Sequence, residues 1–150
     1  MMHSRWYLHL MLLVCIVALA GCREAATQAR QRQSSHLRSL LTLFNLAESK
    51  LGHRPANEAE FKSFIKDKGQ ATLDALHLAS VDDLFISDHD GQPFIVLYGE
   101  QPKGPTHEVV ACEQKGVDGK RLAGYSLGAI FEIDDEGFAA IAAAAKASSK

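Results

Sequence analysis

Acidic and histidine side chains lie close together at two places where a metal or hydrolytic site could form. Asp88, His89 and Asp90 occupy one predicted turn, and His107 stands beside Glu108 at the start of a predicted strand. Imidazoles and carboxylates are common ligands of catalytic metal ions. These residues therefore give one candidate function, a metal-binding or hydrolytic module. The alternative is that they are solvated residues of two ordinary turns.

Motif spacing does not strengthen the chemical interpretation. Asp88-x-Asp90-Gly91 resembles half of an EF-hand loop, but aligning Gly91 with the loop glycine puts Leu97 where the bidentate Glu belongs. No His-Glu-x-x-His motif is present, and no two histidines after residue 22 have the three- or four-residue spacing of metal ligands on a helix. We therefore predict no catalytic, cofactor-binding or metal-binding residue, no cofactor, and a protein that is not an enzyme.

The N-terminal segment predicts an exported protein. One positive side chain, Arg5, precedes eleven uncharged residues, Leu10–Ala20, and small residues follow. That order is typical of a secretory signal. Eleven helical residues reach only about half-way across a ~30 Å hydrocarbon core, so a transmembrane helix is not expected.

Leu19-Ala20-Gly21-Cys22 resembles the lipobox of bacterial lipoproteins. The resemblance implies cleavage before Cys22, acylation of Cys22 by fatty acids such as palmitate, and a membrane-anchored protein facing the periplasm or the exterior. It divides the chain into a signal peptide at 1–21, a polar tether at 22–33 and a domain at 34–150. In the same family Arg23, rather than Asp, favours the outer over the inner membrane. The alternative is an ordinary signal peptide in which Cys22 is incidental.

Composition limits what the mature chain can bind. Removing 21 of the 150 residues would leave 129, enough for one small domain, with 15 basic and 18 acidic side chains and a charge of −3. This balance argues against a nucleic-acid partner. Cys112 would be the one thiol left besides Cys22, and its apolar surroundings predict a buried, inert residue.

The hydrophobic pattern predicts an α+β fold. Apolar residues spaced three and four apart indicate a long amphipathic N-terminal helix at His36–Leu51, and Asn57 begins a second helix at 57–68. A short helix or turn is expected at Leu73–Leu78, and an Ala-rich helix from Asp134 to about Ala145 ends the domain. We expect the long helix to pack on a small antiparallel sheet of four to five strands. The candidate strands are Leu84–Ser87, Pro93–Gly99, Glu108–Glu113, Arg121–Leu127 and Ile130–Ile133.

Three segments resemble the soluble domain of type II secretion major pseudopilins. Leu40–Pro55 is similar to the part of that family in which a helix ends at a Gly-x-x-Pro turn. Asp90–Phe94 is similar to its Gly-Asn-Pro-Tyr turn into a strand, and Tyr125–Ala129 matches its Tyr-Ser-Leu-Gly-Ala segment. The three occur in the family's order. The resemblance implies a pilin-like domain that docks with other proteins.

The chain also departs from that family. The family's apolar membrane helix, which follows a Gly-Phe cleavage site, is replaced by the lipobox and the polar tether. We therefore expect no packing into a pilus core. The family's calcium site near the C-terminus is not carried over, because an Ala-rich helix is predicted there.

Three functions follow from the sequence. The first is a non-enzymatic, lipid-anchored cell-envelope protein whose pilin-like domain docks with envelope or secretion-system proteins, with the membrane as a second partner through its lipid. The second is a periplasmic metal-binding or hydrolytic module that uses the Asp88/His89/Asp90/His107 region. The third is a spacer lipoprotein without a specific ligand.

Overall fold

The mixed α+β fold predicted from the sequence is confirmed. The computed structural model describes residues 34–101, 104, 106 and 108–148, which belong to one compact unit. The signal peptide, the tether with Cys22, and His107 lie outside the described residues. Within the described part there are five helices and four strands: α1 (Ser35–Leu51), α2 (Glu58–Lys68), α3 (Gln70–Ala75), α4 (Val81–Leu84), β1 (Ile95–Val96), β2 (Val109–Cys112), β3 (Arg121–Tyr125), β4 (Ile130–Ile133) and α5 (Asp135–Ser148).

Helix α1 is amphipathic and supplies a large part of the core. Its buried residues recur at three- and four-residue intervals, so one side of the helix faces the sheet. The helix ends at Gly52, which adopts the left-handed conformation (φ +77°) and donates its N–H to the carbonyl of Glu48 at 2.9 Å. The residues of α1 in the core are Leu37, Leu40, Leu41, Leu43, Phe44 and Ala47.

Three shorter helices extend the same layer. Asn57 caps α2, because its side-chain oxygen accepts the N–H of Glu60 at 3.0 Å. Ser80 caps α4 through a reciprocal pair of hydrogen bonds with Asp83. Within the described residues, every helix is too short or too polar to cross a lipid bilayer.

The prediction of a strand at Leu84–Ser87 is wrong. The capping box at Ser80 starts a helix that takes in Leu84, and only Ile86 makes a β-bridge, with Pro93. The third helix also begins earlier than predicted, at Gln70 rather than Leu73.

The sheet is an antiparallel meander in the order β1-β2-β3-β4. Ile95 pairs with Cys112, Val109 with Tyr125, and Arg121 with Ile133. The register shifts between Val109 and Ala111, which marks a β-bulge in β2. The bulge explains why the neighbours Val110 and Ala111 both join the core cluster that α1 forms, instead of alternating between the faces.

Helices cover both faces of the sheet. Helices α1 to α4 bury one face, whereas α5 packs on the other through Ile141 and Phe138. Every residue of β2 is consequently buried, as expected for a strand with no solvated face. The sequence predicted α5, but it did not predict that the helix would cover the second face.

Candidate functional site

The turn Ser87–Gly91 carries three of the four residues from which a metal or hydrolytic site was proposed. The amide of Ser87 donates to Gln92 O and that of Gly91 to Ser87 O, both at 2.9 Å. The hydroxyl of Ser87 accepts the amides of His89 (3.1 Å) and Asp90 (3.2 Å). Gly91 provides the positive φ (+69°) that the reversal requires. The backbone of the turn is therefore held from within, and its side chains reach other elements.

Asp88 caps helix α1, which begins far away in the sequence. One carboxylate oxygen accepts the Ser35 N–H at 2.8 Å and the Ser35 hydroxyl at 2.6 Å. Ser34, at the N-cap position, makes no capping bond with its own side chain. His36 adds a second link, since its Nδ1 lies 2.7 Å from Ile86 O. Asp88 thus satisfies donors that a helix start leaves free and adds a negative charge at the positive end of the helix dipole.

Asp90 fastens the turn to the β2–β3 hairpin. Its carboxylate accepts the backbone N–H groups of Gln92 (2.9 Å), Lys115 (3.0 Å) and Gly116 (2.7 Å). Burial alone would raise the pKa of the Asp90 carboxyl, but these N–H donors outweigh it and hold the pKa below the usual 3.8. The carboxylate is therefore engaged in holding two loops together.

His89 meets a buried carboxylate that the sequence reasoning did not single out. Its Nδ1 lies 2.9 Å from Glu113 Oε1, within hydrogen-bond distance, and its side chain is 8% exposed. Glu113 is fully buried and also accepts the Ser87 hydroxyl and the Leu122 amide, both at 2.9 Å. The available signal was a charged residue placed directly after the apolar run Val109–Cys112. A charge in that position needs partners, and the turn supplies them.

The geometry brings Asp88, His89 and Asp90 onto one turn, but Asp88 bonds to α1 whereas His89 and Asp90 bond to the β2–β3 hairpin. Within residues 34–101, 104, 106 and 108–148, no group of three or more His, Cys, Asp or Glu side chains is arranged to hold a metal ion. His107, the fourth residue of the predicted site, lies outside those residues. The chemistry that the described cluster performs is structural: it joins α1, the turn and the β2–β3 hairpin.

The chain contains one spacing typical of a serine nucleophile. Gly124-Tyr125-Ser126-Leu127-Gly128 reads Gly-x-Ser-x-Gly, which in hydrolases places the serine on a sharp strand-to-helix turn. Here the segment joins β3 to β4: the Tyr125 amide donates to Ala129 O and the Gly128 amide to Tyr125 O. The motif therefore lies in a hairpin without the following helix, and the spacing alone does not indicate a nucleophile.

Cys112 is confirmed as a buried residue. It is inaccessible to solvent, and burial raises the pKa of its thiol to about 12. A thiol with so high a pKa forms almost no thiolate near neutral pH, so Cys112 acts as a small core residue.

A cleft of about 400 Å³ lies beside β1, between that strand and helices α2 and α4. We call it the β1 cleft. Its wall is mainly apolar, and three charged side chains stand at its margin. The residues that line it are Glu58, Lys62, Asp82, Phe85, Ile86, Pro93, Phe94, Ile95, Val96 and Tyr98.

Comparison with known proteins identifies no relative. No protein-family model, no curated protein and no solved structure matches this chain.

Proposed function

We propose that the protein is a lipid-anchored, non-enzymatic component of the bacterial cell envelope whose pilin-like domain docks with envelope or secretion-system proteins. Cys22 carries the lipid, and the polar tether at 22–33 separates the membrane from the domain. The resemblance of Leu19–Cys22 to a lipobox supports the anchor, and the order of the three pseudopilin-like segments supports the domain.

The observation that carries this proposal is the structural use of the candidate chemical groups. Asp88 and Asp90 accept backbone N–H groups, and His89 is held against the buried Glu113. Side chains that serve chemistry usually keep an open position for a substrate or a metal. This arrangement favours docking over the metal-binding or hydrolytic alternative.

The described fold is compatible with a pilin-like domain. The amphipathic helix α1 lies on an antiparallel meander, with contacts to β2 and β3. Asp90–Phe94 leads into β1, and Tyr125–Ala129 forms the β3–β4 hairpin. The tip of that hairpin exposes Leu127, and Phe131 of β4 is also exposed, which provides apolar surface for a partner.

In-cell crosslinking tests the docking function. The full-length tagged chain is crosslinked in its native cells, and the proteins that copurify from the membrane fraction are identified. A Cys22→Ser chain is the matched control, since it retains the domain and loses the acylation site. Reproducible recovery of envelope or secretion components, reduced in the control, would support the proposal. A monomer crosslinked only to lipid and abundant bystanders would contradict it.

A further inference from the structure

No described strand pairs with the outer edge of β1, which lies beside the β1 cleft. Strand β1 is at one end of the sheet, and the Leu97 amide donates to Val110 O at 2.8 Å. Backbone groups of successive residues in an antiparallel ladder point alternately toward and away from the neighbouring strand. Val96, which lies opposite Ala111, therefore directs its N–H and C=O to the outer side of the sheet. On that side the Phe85 carbonyl accepts the Phe94 amide at 2.8 Å, and no described strand pairs with Val96.

Tyr98 contributes a second unmet polar group. Its hydroxyl is buried and has no hydrogen-bond partner among the described residues. Burial, with a smaller contribution from the charge of Glu58, raises the pKa of the Tyr98 phenol, so the group stays protonated and able to donate. An unpaired buried hydroxyl costs stability. A carbonyl group of a bound ligand would remove that cost.

The margin of the β1 cleft presents more negative than positive charge. The side chains of Glu58 and Asp82 are 57% and 75% exposed, whereas that of Lys62 is 25% exposed. Lys62 lies between the two carboxylates, 2.7 Å from Asp82, with its ammonium 4.9 Å from the centre of the Phe85 ring. The next cation on α2, Lys66, acts on Asp82 but does not line the cleft. The two carboxylates are therefore more exposed than the ammonium group that bridges them.

We propose that the β1 cleft binds an extended peptide segment of a partner protein, with alternating basic and apolar residues, as an added strand on β1. The peptide backbone pairs with Val96, one of its carbonyl groups accepts the Tyr98 hydroxyl, and an apolar side chain fills the cleft. A basic side chain lies against Glu58 and Asp82. This is strand addition, in which backbone bonds supply affinity and side-chain pockets supply specificity. The proposal rests on the docking function above and assigns it a surface at the β1 edge, separate from Leu127 and Phe131.

Methyl NMR of the full chain in detergent micelles tests the proposal. The chain is labelled at Ile and Val methyl groups and titrated with the synthetic probe Ac-Arg-Val-Arg-Val-Arg-Val-NH2. We expect saturable shifts at Ile86, Ile95 and Val96. A Glu-Val peptide of the same length, and an Arg-Val peptide N-methylated at alternate residues, should bind at least about tenfold more weakly, since each loses a charge or hydrogen-bond contribution.

Two variants separate binding from folding. Tyr98→Phe should weaken probe binding about tenfold while the urea midpoint of unfolding does not fall, because the substitution removes a buried hydroxyl that has no partner among the described residues. Tyr125→Phe, on the opposite face of the sheet, is the matched control and should leave binding unchanged.

Several results would overturn the proposal: no saturable shift, equal binding of the acidic or N-methylated peptide, or equal binding by Tyr98→Phe. Shifts that depend on protein concentration without peptide would instead indicate a second copy of the chain in the cleft. If the probe fails while crosslinking still recovers an envelope partner, the docking function stands and this surface is wrong. If the probe binds but no partner is recovered in cells, the peptide-binding surface stands and the docking function is wrong.

Discussion

Gly124 of β3 lies directly beneath Leu41 of α1. A Cβ atom placed on Gly124 would lie 2.6 Å from Leu41 Cδ1 and 2.7 Å from Leu41 Cδ2, closer than such atoms approach in proteins. Leu41 itself is almost completely buried. The missing side chain therefore sets the distance between α1 and the sheet.

Adding one methyl group at this position should move the helix. We predict that Gly124→Ala lowers the free energy of unfolding by about 1–3 kcal/mol, because overpacking forces Leu41 or the backbone to shift. The matched control is Gly137→Ala in α5, where the new Cβ would be 3.4 Å from its nearest neighbour, Ile133 Cβ. That change should be neutral or stabilise by up to about 1 kcal/mol, because Ala is the better helix former. Urea unfolding measures the free energy of unfolding of both variants. Equal changes in the two variants would contradict the close contact between Gly124 and Leu41.

The cap from Asp88 should have a measurable effect on stability. We predict that Asp88→Ala lowers the free energy of unfolding by about 1–2 kcal/mol, since the first turn of α1 loses its acceptor. Asp88→Asn should cost less, because the amide oxygen still accepts the Ser35 amide. Denaturation by urea with circular dichroism at 222 nm measures both. If the Asn variant were as unstable as the Ala variant, the charge rather than the hydrogen bond would hold the helix.

The buried carboxylate of Glu113 should contribute strongly to the stability of the fold. Glu113→Ala would leave the Ser87 hydroxyl and the Leu122 amide without their acceptor, and we predict a loss of about 3 kcal/mol in the free energy of unfolding. Glu113→Gln, which keeps one acceptor oxygen, should lose clearly less. Thermal and urea unfolding of both variants measure the difference. A Glu113→Ala protein as stable as the wild type would show that the cluster is not structural.

Acid should release the bond between the turn and the β2–β3 hairpin. The pKa of Asp90 is lower in the folded protein than its usual 3.8, so the stability it adds is fully present well above pH 3.8 and is lost as the pH falls through the folded-state pKa. We predict that Asp90→Asn is less stable than the wild type at pH 6 and that the gap narrows below pH 4. Urea unfolding at pH 6 and pH 3 measures it. If the difference in stability between the wild type and Asp90→Asn grew on acidification, the pKa of Asp90 would not be lowered by folding.

The parts of the fold that could be predicted are those that depend on residues close together in the sequence. The spacing of Leu37, Leu41 and Phe44 marks α1, and Asn57 marks the start of α2. The prediction of a strand at Leu84–Ser87 is wrong because a short apolar run does not distinguish a strand from the end of a helix, and the capping box at Ser80 starts a helix that includes Leu84.

The candidate site could be predicted only in part. The sequence placed Asp88, His89 and Asp90 on one turn, but their partners Ser35, Glu113 and Gly116 come from distant segments. Such pairings are set by the tertiary fold and leave no local pattern. The β1 cleft also forms only when α2 and α4 meet β1, so it could not be read from any one segment.

The central claim, a docking protein held at the membrane by Cys22, is tested most directly at Cys22 itself. Cells producing the full chain or its Cys22→Ser variant are labelled with a palmitate analogue, and the mature N-terminal peptide is identified by mass spectrometry. We predict a chain that begins at Cys22, carries the label and sediments with membranes, and an unlabelled variant that does not. A mature wild-type chain without lipid, or one cut at another residue, would contradict the account.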